Sequence, residues 1–234
     1  MKLLKFLSKK PKPGDIDFGD LRRLNPISKK YGFERGTPID RYYIEKFLKE
    51  NGSFISGHVL EVGNDTYSDM FGNNNVTKSD VLDIDRSNNK ANIIADLSDA
   101  KEIESNTYDC IILTQVLQYI FEIDAAINEI CRITRPGGTI LITAPGATQV
   151  VQQKWAGADS WYWSFTFPSI SRLFSTRKDL ENVEIGVYGN VLSSISFMLG
   201  LASHELSDQE LDYIDQAYPL VLTVKARKLS VPDS

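Results

Sequence analysis

The 234-residue sequence lacks several patterns that would assign it to a specialised class of protein. No apolar run approaches the length of roughly 18 residues that a membrane-spanning helix needs. Neither a G-x-G-x-x-G loop nor a G-x-x-x-x-G-K-S/T loop occurs, which disfavours a dinucleotide or a nucleoside triphosphate as the ligand. Internal repeats and low-complexity tracts are also missing, so the chain suits one large domain with additions.

Cysteine is scarce, with only Cys110 and Cys131 in the chain. Both lie inside apolar stretches, DCIIL and EICRI, and their spacing does not match that of metal ligands. We therefore expect two reduced, buried thiols, no bound metal and a cytoplasmic location.

An excess of positive charge is also missing, because 31 acidic residues outnumber 26 lysines and arginines and give a net charge of -5. Nucleic-acid binding needs a basic surface, so we expect no nucleic-acid partner. The exception is residues 1–12, in which lysines are interleaved with leucine and phenylalanine. This segment is either a frayed tail or a short amphipathic helix, which would give a weak contact with an anionic membrane surface.

Short apolar runs alternate with helical patterns along most of the chain. The strand pattern occurs at residues 58–62, 76–84, 92–95, 108–114, 139–143, 183–188 and 220–226. Helical patterns occupy residues 37–51, 123–133, 168–177 and 191–202, and the first of them has Thr37 as its N-cap and Pro38 as its first helical residue. Repeated units of this kind predict an α/β fold, with a parallel sheet and helices on both faces.

Acidic side chains stand at or just beyond the ends of three consecutive predicted strands. They are Glu61, Asp83 and Asp96, and a turn at Gly63 follows the first of them. Strand ends of a parallel sheet meet at one edge, so we expect the three carboxylates to share one rim. Carboxylates accept hydrogen bonds from ribose hydroxyls and an exocyclic amine but repel phosphate, which predicts a nucleoside ligand without a pyrophosphate. Asp85 is an alternative to Asp83.

Five segments, VLEVG, VLDID, IIADL, YDCIILTQVLQYI and RITRPGGTILITAPG, follow one another in a familiar order. Over about residues 35–145 the chain resembles the class I S-adenosylmethionine-dependent methyltransferases, especially the methyltransferase type 11 branch. The resemblance implies a Rossmann-like, seven-stranded, mostly parallel sheet whose last strand is antiparallel. It also implies S-adenosylmethionine as the cofactor and S-adenosylhomocysteine as the product. The expected organisation is a lead-in at residues 1–36, a cofactor-binding half at 37–146 and a substrate-side half at 147–234.

The resemblance also implies roles for individual residues along the strand ends. Glu61 and Gly63 would shape the loop beside the methionine part of the cofactor, and Asp83 would hold the ribose hydroxyls. Ile84 would contact the adenine, Asp96 would accept a hydrogen bond from the adenine amine, and the backbone N–H of Leu97 would reach a nitrogen of the adenine ring. Thr114 and Gln115 would lie near the methionine part and the sulfonium.

The sequence departs from the family pattern in two places. Asp65 and Tyr67 stand where the loop usually has glycines, and Asp65 would either pair with the cofactor's ammonium group or cap the following helix. Gln118 stands where a histidine is common, which removes an obvious base. The catalytic residue is therefore open, with His204 and Tyr162 as weak candidates.

The aromatic segment DSWYWSFTFP, residues 159–168, is either a wall of the substrate site or part of the core or of a subunit contact. Together with RGTPIDRYYIEKFL it resembles a subgroup that acts in glycan and surface-polysaccharide pathways. The interpretation is an O-methyltransferase with a small-molecule or glycan acceptor, such as a sugar. The alternative is a non-catalytic scaffold with a methyltransferase-like fold.

Overall fold

The computed structural model describes residues 10–150 and 161–230. Most of the basic segment at residues 1–12, with its predicted membrane contact, lies outside the described residues. Within the described ranges, no helix is both long and apolar enough to cross a membrane.

Seven strands form one sheet, and their order confirms the predicted architecture. The strands are β1 (Gly57–Val62), β2 (Val76–Asp83), β3 (Ile93–Ile94), β4 (Tyr108–Thr114), β5 (Thr134–Pro145), β6 (Leu180–Tyr188) and β7 (Val221–Lys228). They lie side by side in the order β3-β2-β1-β4-β5-β7-β6. The last strand is inserted between β5 and β6 and runs antiparallel to both, whereas the pairs on the other side of the sheet are parallel.

Helices cover both faces of the sheet. They are α1 (Ile39–Glu50), α2 (Thr66–Gly72), α3 (Ile123–Ile133), α4 (Phe167–Ser175), α5 (Val191–Met198) and α6 (Asp208–Asp212). Successive strand residues enter different cores, because side chains alternate across a strand: Leu60 packs with α3 and α4, and Val59 packs with α1. The predicted bounds of α3 and β4 match the structure at both ends.

The start of α1 differs from the prediction. The helix begins at Ile39, its N-cap position is Pro38, and no side chain caps it. The chain is extended up to that point because the Thr37 carbonyl accepts a hydrogen bond from the Ser203 N–H at 2.7 Å and Pro38 bridges Ala202. The prediction of Thr37 as N-cap is therefore wrong.

The lead-in before α1 packs against the substrate-side half of the chain. The N–H groups of Ile27 and Ser28 both donate to the Leu199 carbonyl, at 2.8 and 3.1 Å. The ring of Tyr31 stacks on that of Phe197, with centroids 5.8 Å apart. This docking holds residues 27–33 beside the sheet edge where the functional residues gather.

The two cysteines are free and buried, as expected. Burial raises the pKa of Cys110 and raises that of Cys131 to about 12, so both thiols stay protonated and unreactive at neutral pH.

Candidate active site

A first cavity of about 440 Å³ lies at the carboxyl ends of β1, β2, β3 and β4. This is the edge at which open α/β sheets bind their ligands. The predicted cofactor residues that line it are Gly63, Asp83, Ile84, Asp96, Leu97, Thr114 and Gln115. No lysine or arginine is among the described residues of this lining, whereas Asp83, Asp96 and Glu122 are. The cavity therefore suits a ligand that donates hydrogen bonds and carries positive charge.

Asp83 is fixed at the end of β2 by hydrogen bonds to both of its carboxylate oxygens. The Asn88 amide donates to Oδ2 at 2.7 Å and to the Gly63 carbonyl at 2.6 Å, while the Asp85 N–H donates to Oδ1 at 2.9 Å. Asp85 does not line the cavity, and its Oδ1 accepts hydrogen bonds from the N–H and hydroxyl of Ser87. The geometry therefore favours Asp83 over Asp85 as the ligand-facing acid.

Asp96 lies on the opposite side of the same cavity, after β3. Its Oδ1 accepts hydrogen bonds from the N–H and the hydroxyl of Ser98 at 2.8 and 2.7 Å, which fixes the side chain in a tight turn. Ile84 is 46% exposed although it is a large apolar residue, and its exposed surface lies in the cavity lining. Such a surface can contact a flat aromatic ring.

Glu61 does not share the rim with Asp83 and Asp96, so the expectation of three carboxylates on one edge is wrong for this residue. Its side chain is 1% exposed and does not line the cavity. Its oxygens accept hydrogen bonds from the N–H groups of Tyr67 and Ser68, at 3.1 and 2.8 Å, in the first turn of α2. Burial raises the pKa of Glu61 to about 7 despite these donors. Glu61 therefore supports the loop after β1 from beneath.

Asp65 occupies the N-cap position of α2 but makes no capping hydrogen bond with its side chain. The Thr66 N–H is instead accepted by Asn64 Oδ1 at 3.0 Å, and Glu61 accepts the next two N–H groups of the chain. The prediction of Asp65 as a helix cap is therefore wrong. Its carboxylate faces Lys90 Nζ at 3.4 Å and lies outside the lining of the first cavity.

A second cavity of about 410 Å³ adjoins the first. The two linings share Thr114, Gln115 and Tyr119, so the cavities meet at the end of β4. Gln115 adopts a left-handed backbone conformation with φ 56°, and its N–H donates to the Thr143 carbonyl at 2.9 Å. The other residues of the second lining that matter below are Tyr31, Phe33, Asp40, Arg41, Tyr67, Gln118, Thr148, Trp161 and Phe197.

Unpaired polar atoms converge on the second cavity. Tyr31 Oη, Gln118 Oε1 and Trp161 Nε1 are buried side-chain atoms without a hydrogen-bond partner among the described residues, and all three residues line this cavity. Buried polar atoms are normally paired, so a cluster of three indicates a ligand that supplies the partners. The set comprises a hydroxyl, an acceptor and a donor.

Asp40 and Arg41 place one charge of each sign in the second cavity. Burial raises the pKa of Asp40 to about 6, although the N–H and guanidinium of Arg41 oppose this rise. The Arg41 guanidinium lies over the rings of Phe33 and Tyr67 and donates to the Tyr67 hydroxyl. Asp40 was not among the site residues predicted from the sequence. A signal was available, since an acid in the RGTPIDRYY segment lies one helix before the strand that begins the site.

The two weak catalytic candidates, His204 and Tyr162, do not line the second cavity. His204 is exposed, in a 3₁₀ turn (Ser203–Glu205) against Gly36, and lines neither cavity, which removes it as a base. Tyr162 lines the first cavity, and its N–H donates to the Gln118 carbonyl at 2.8 Å.

The aromatic segment is divided among three environments. Trp161 lines the second cavity, Tyr162 lines the first, and Phe165 is buried in the core. The segment therefore contributes to both cavity linings and to the core, and its role as a wall of the substrate site stays a prediction. In the part of the chain that the structure describes, no three histidine, cysteine, aspartate or glutamate side chains come together as metal ligands.

Residues 62–142 match the family model described as a methyltransferase domain. This segment contains all the residues that the two cavity linings share. It also contains the strand ends that line the first cavity. No curated protein matches the sequence significantly.

Several solved structures share the fold. A SAM-dependent methyltransferase from Archaeoglobus fulgidus is 13% identical, with 86% of this chain and 100% of that chain covered and a TM-score of 0.56. Phosphoethanolamine N-methyltransferase 2 from Haemonchus contortus, solved with S-adenosyl-L-methionine, is 15% identical, with coverages of 92% and 55% and a TM-score of 0.53. The plantazolicin methyltransferase BpumL, solved with a triazolic desmethylPZN analog and SAH, is 16% identical, with coverages of 87% and 90% and a TM-score of 0.52.

Proposed function

We propose that this class I S-adenosylmethionine-dependent methyltransferase transfers the methyl group to a hydroxyl of a sugar, a glycan or another small hydroxylated metabolite. S-adenosylmethionine is its cofactor. The observation that carries the proposal is the second cavity, in which three unpaired polar atoms surround a space that opens onto the first cavity at Thr114 and Gln115.

The residues of the first cavity fit the cofactor. Asp83 would accept hydrogen bonds from the ribose hydroxyls, and Asp96 would accept from the adenine amine, with Leu97 beside the ring. Ile84 offers an apolar surface for the adenine. The acidic lining without lysine or arginine suits a ligand whose sulfonium is positive. When bound, the cofactor supplies an activated methyl group on that sulfonium.

The chain's own contribution to methyl transfer is alignment and exclusion of water. A displacement at carbon gains most from holding the two reactants in line in a site that water does not enter. Thr114 and Gln115 belong to both linings, so they would stand beside the methyl group and the attacking oxygen. The left-handed backbone of Gln115 turns the chain at this junction, as sparsely populated conformations often do at functional sites.

The polar atoms of the second cavity favour a neutral polyol over a charged acceptor. A hydroxyl both donates and accepts, so several hydroxyls can pair at once with Tyr31 Oη, Gln118 Oε1 and Trp161 Nε1. Asp40 and Arg41 carry opposite charges that offset each other, so the lining has no net charge that would select a cationic or an anionic acceptor. The aromatic rings of Trp161 and Phe33 offer surfaces on which a sugar ring can stack.

The alternative is a non-catalytic scaffold, which is motivated by Asp65 and Tyr67 in place of loop glycines. Calorimetric titration with S-adenosylmethionine and S-adenosylhomocysteine separates the two readings. A transferase binds both in the micromolar range, whereas a scaffold without a functional site binds neither below roughly 1 mM.

Methyl transfer is tested with tritiated S-adenosylmethionine and matched panels of methyl hexopyranosides, primary amines and carboxylates. We expect incorporation of tritium into the hexopyranosides alone. Incorporation only into amines or carboxylates would contradict the proposed acceptor class but leave the transferase assignment standing.

The membrane contact of residues 1–12 stays a separate proposal, and deletion of that segment should abolish sedimentation with anionic vesicles if it is correct.

A further inference from the structure

We propose that Asp40 is the general base that takes the proton from the acceptor hydroxyl. The inference rests on the proposed transfer to an alcohol, and it goes further by naming the group that completes the reaction. Gln118 stands where a histidine is common and has no basic atom, so the base must come from another element of the fold.

The position of Asp40 follows from the way α1 enters the fold. The helix begins at Ile39, one residue after the predicted first position Pro38, because the preceding chain is held in an extended bridge. Asp40 thereby reaches the lining of the second cavity, which meets the first at Thr114 and Gln115. Its Oδ1 accepts a hydrogen bond from the Arg41 N–H at 2.8 Å, which fixes the carboxylate at the helix start.

Elimination leaves Asp40 as the base. Burial raises the pKa of Tyr31 and that of Tyr67 to about 12, and it raises the pKa of Tyr119 as well, so these phenols stay protonated near neutral pH. Arginine does not release its proton in proteins. Among the described residues that line the second cavity, Asp40 is thus the one group that can exchange a proton between pH 5 and 8.

The surroundings of Asp40 keep its carboxylate basic. Burial raises its pKa to about 6, and the charge of Arg41 on the same helix limits the rise. The facing titratable groups are Tyr31 from the lead-in and Tyr67 from α2, while Glu45 on α1 acts on Tyr67. A base is most effective when its pKa lies near the working pH, and this value leaves Asp40 ionised at pH 7 and able to hold a proton.

The step balances without any further reactant. The acceptor oxygen forms a bond to the methyl carbon while the bond from that carbon to sulfur breaks, and the sulfur keeps the electron pair and becomes a neutral thioether. The hydroxyl proton passes to the Asp40 carboxylate, which later releases it to water. The positive charge of the sulfonium and the negative charge of Asp40 therefore disappear together.

The first test compares the full-length wild type with Asp40→Asn and Glu45→Gln. Glu45 is the matched control, since it lies on the same helix and outside the cavity lining. Tritium transfer from S-adenosylmethionine to the methyl hexopyranosides is measured from about pH 5 to about pH 9. Calorimetry with S-adenosylhomocysteine on each variant shows that the fold and the first cavity are intact.

We expect wild-type kcat/KM to rise with pH and to level off above about pH 6, with Glu45→Gln behaving alike. Asp40→Asn should lower kcat at least about 100-fold and abolish the rise, while the affinity for S-adenosylhomocysteine stays unchanged. Glu61 also has a raised pKa, of about 7, and Glu61→Gln should keep the rise if the group responsible is Asp40. Retention by Asp40→Asn of a rate within about threefold of wild type, or of the same pH profile, would overturn the inference.

A second readout does not depend on turnover. Carbon-13 NMR of the aspartate carboxyls, with Asp40→Asn for assignment, should show Asp40 titrating near pH 6 in the complex with S-adenosylhomocysteine. A midpoint below about 4.5 would exclude Asp40 as an effective base even if transfer to hexopyranosides occurs. Failure of the wild type to methylate any hydroxylated probe would overturn the proposed acceptor class and, with it, the role of Asp40.

Discussion

The two cavities differ in how the chain builds them. The first is lined almost entirely by residues at or just after strand ends, and most of them lie in the segment 62–142 that matches the methyltransferase model. The second takes Tyr31 from the lead-in, Asp40 from α1, Trp161 from the segment before α4 and Phe197 from α5, all outside that segment. The lining of the first cavity therefore follows from local sequence pattern, whereas that of the second follows from tertiary packing.

The difference also appears in how well each cavity satisfies its polar atoms. Asp83 and Asp96 are held by neighbours in the first cavity, whereas Tyr31, Gln118 and Trp161 have unpaired atoms in the second. A rigid, preorganised first cavity suits one constant ligand. The unpaired atoms of the second cavity give it selectivity, because an acceptor that leaves them unpaired is penalised.

The largest expected effect is on the free energy of unfolding and concerns Glu61, the buried residue that holds the loop beside the first cavity. Its pKa is raised from 4.5 to about 7 by burial, so its favourable contribution is complete below about pH 4.5 and is lost as the pH rises to about 7. We expect wild type to lose roughly 3 kcal/mol of unfolding free energy relative to Glu61→Gln over this interval. Urea denaturation at a series of pH values measures the difference.

Glu104→Gln is the matched control for that experiment, since Glu104 is exposed and should follow the wild-type curve. Parallel curves for wild type and Glu61→Gln would show that the pKa of Glu61 is the same in the folded and the unfolded protein, which would contradict a rise caused by burial.

Removal of the Asp83 charge should affect the first cavity and leave the second unchanged. We expect Asp83→Asn to weaken S-adenosylmethionine binding by about 30-fold, or about 2 kcal/mol, because a charge-assisted hydrogen bond to the ribose is lost. Asp85→Asn should change the affinity less than about twofold, since that residue lies outside the cavity. Calorimetry measures both, and the reverse ranking would assign the ribose to Asp85.

Removal of a polar atom from the second cavity should affect the acceptor and leave cofactor binding unchanged, the reverse of the effect of Asp83→Asn. We expect Tyr31→Phe to raise the KM for the hexopyranoside about fivefold, or about 1 kcal/mol, while the affinity for S-adenosylmethionine stays unchanged. The hydroxyl has no partner in the protein, so stability should stay level or rise. Tyr42→Phe is the control, because the Tyr42 hydroxyl donates to Asp212 at 2.9 Å outside both cavities. A large loss of stability in Tyr31→Phe would contradict an unpaired hydroxyl.

The smallest effect is expected at His204. Because its exposed side chain lines neither cavity, His204→Ala should change kcat and KM less than about twofold at every pH. Steady-state kinetics over the same pH series checks this. If the rise of kcat/KM with pH were lost in His204→Ala, the base would be His204 and not a residue of the second cavity.

The predictable part of the molecule is the part that local pattern determines. The apolar run at residues 108–114 and the helical spacing at 123–133 give β4 and α3 with correct bounds. The strand before Pro145 begins at Thr134 and not at the predicted 139. A register shift in its pairing with β4 lets Tyr108 face Thr134 while Cys110 faces Thr139, and Gly137, with a left-handed φ of 77°, lies in the irregular stretch between them.

The unpredictable part depends on contacts between distant segments. Asp40 belongs to an ordinary amphipathic helix in sequence, and only the packing of α1 beside the end of β4 brings it into the lining of the second cavity. Tyr31 reaches the same cavity because residues 27 and 28 bond to Leu199, far along the chain. Glu61 does not lie on the predicted rim because α2 folds over the end of β1 and its N–H groups donate to the Glu61 carboxylate.

A single carbonyl, that of Leu199, anchors the lead-in through the N–H groups of Ile27 and Ser28. An expression clone that starts at residue 37 would discard this anchor together with Tyr31 and Phe33. We expect such a clone to keep the residues of the first cavity but to lack those that the lead-in supplies to the second. Under the proposed function, a screen of truncated clones by cofactor affinity alone would not detect this loss, whereas a transfer assay would.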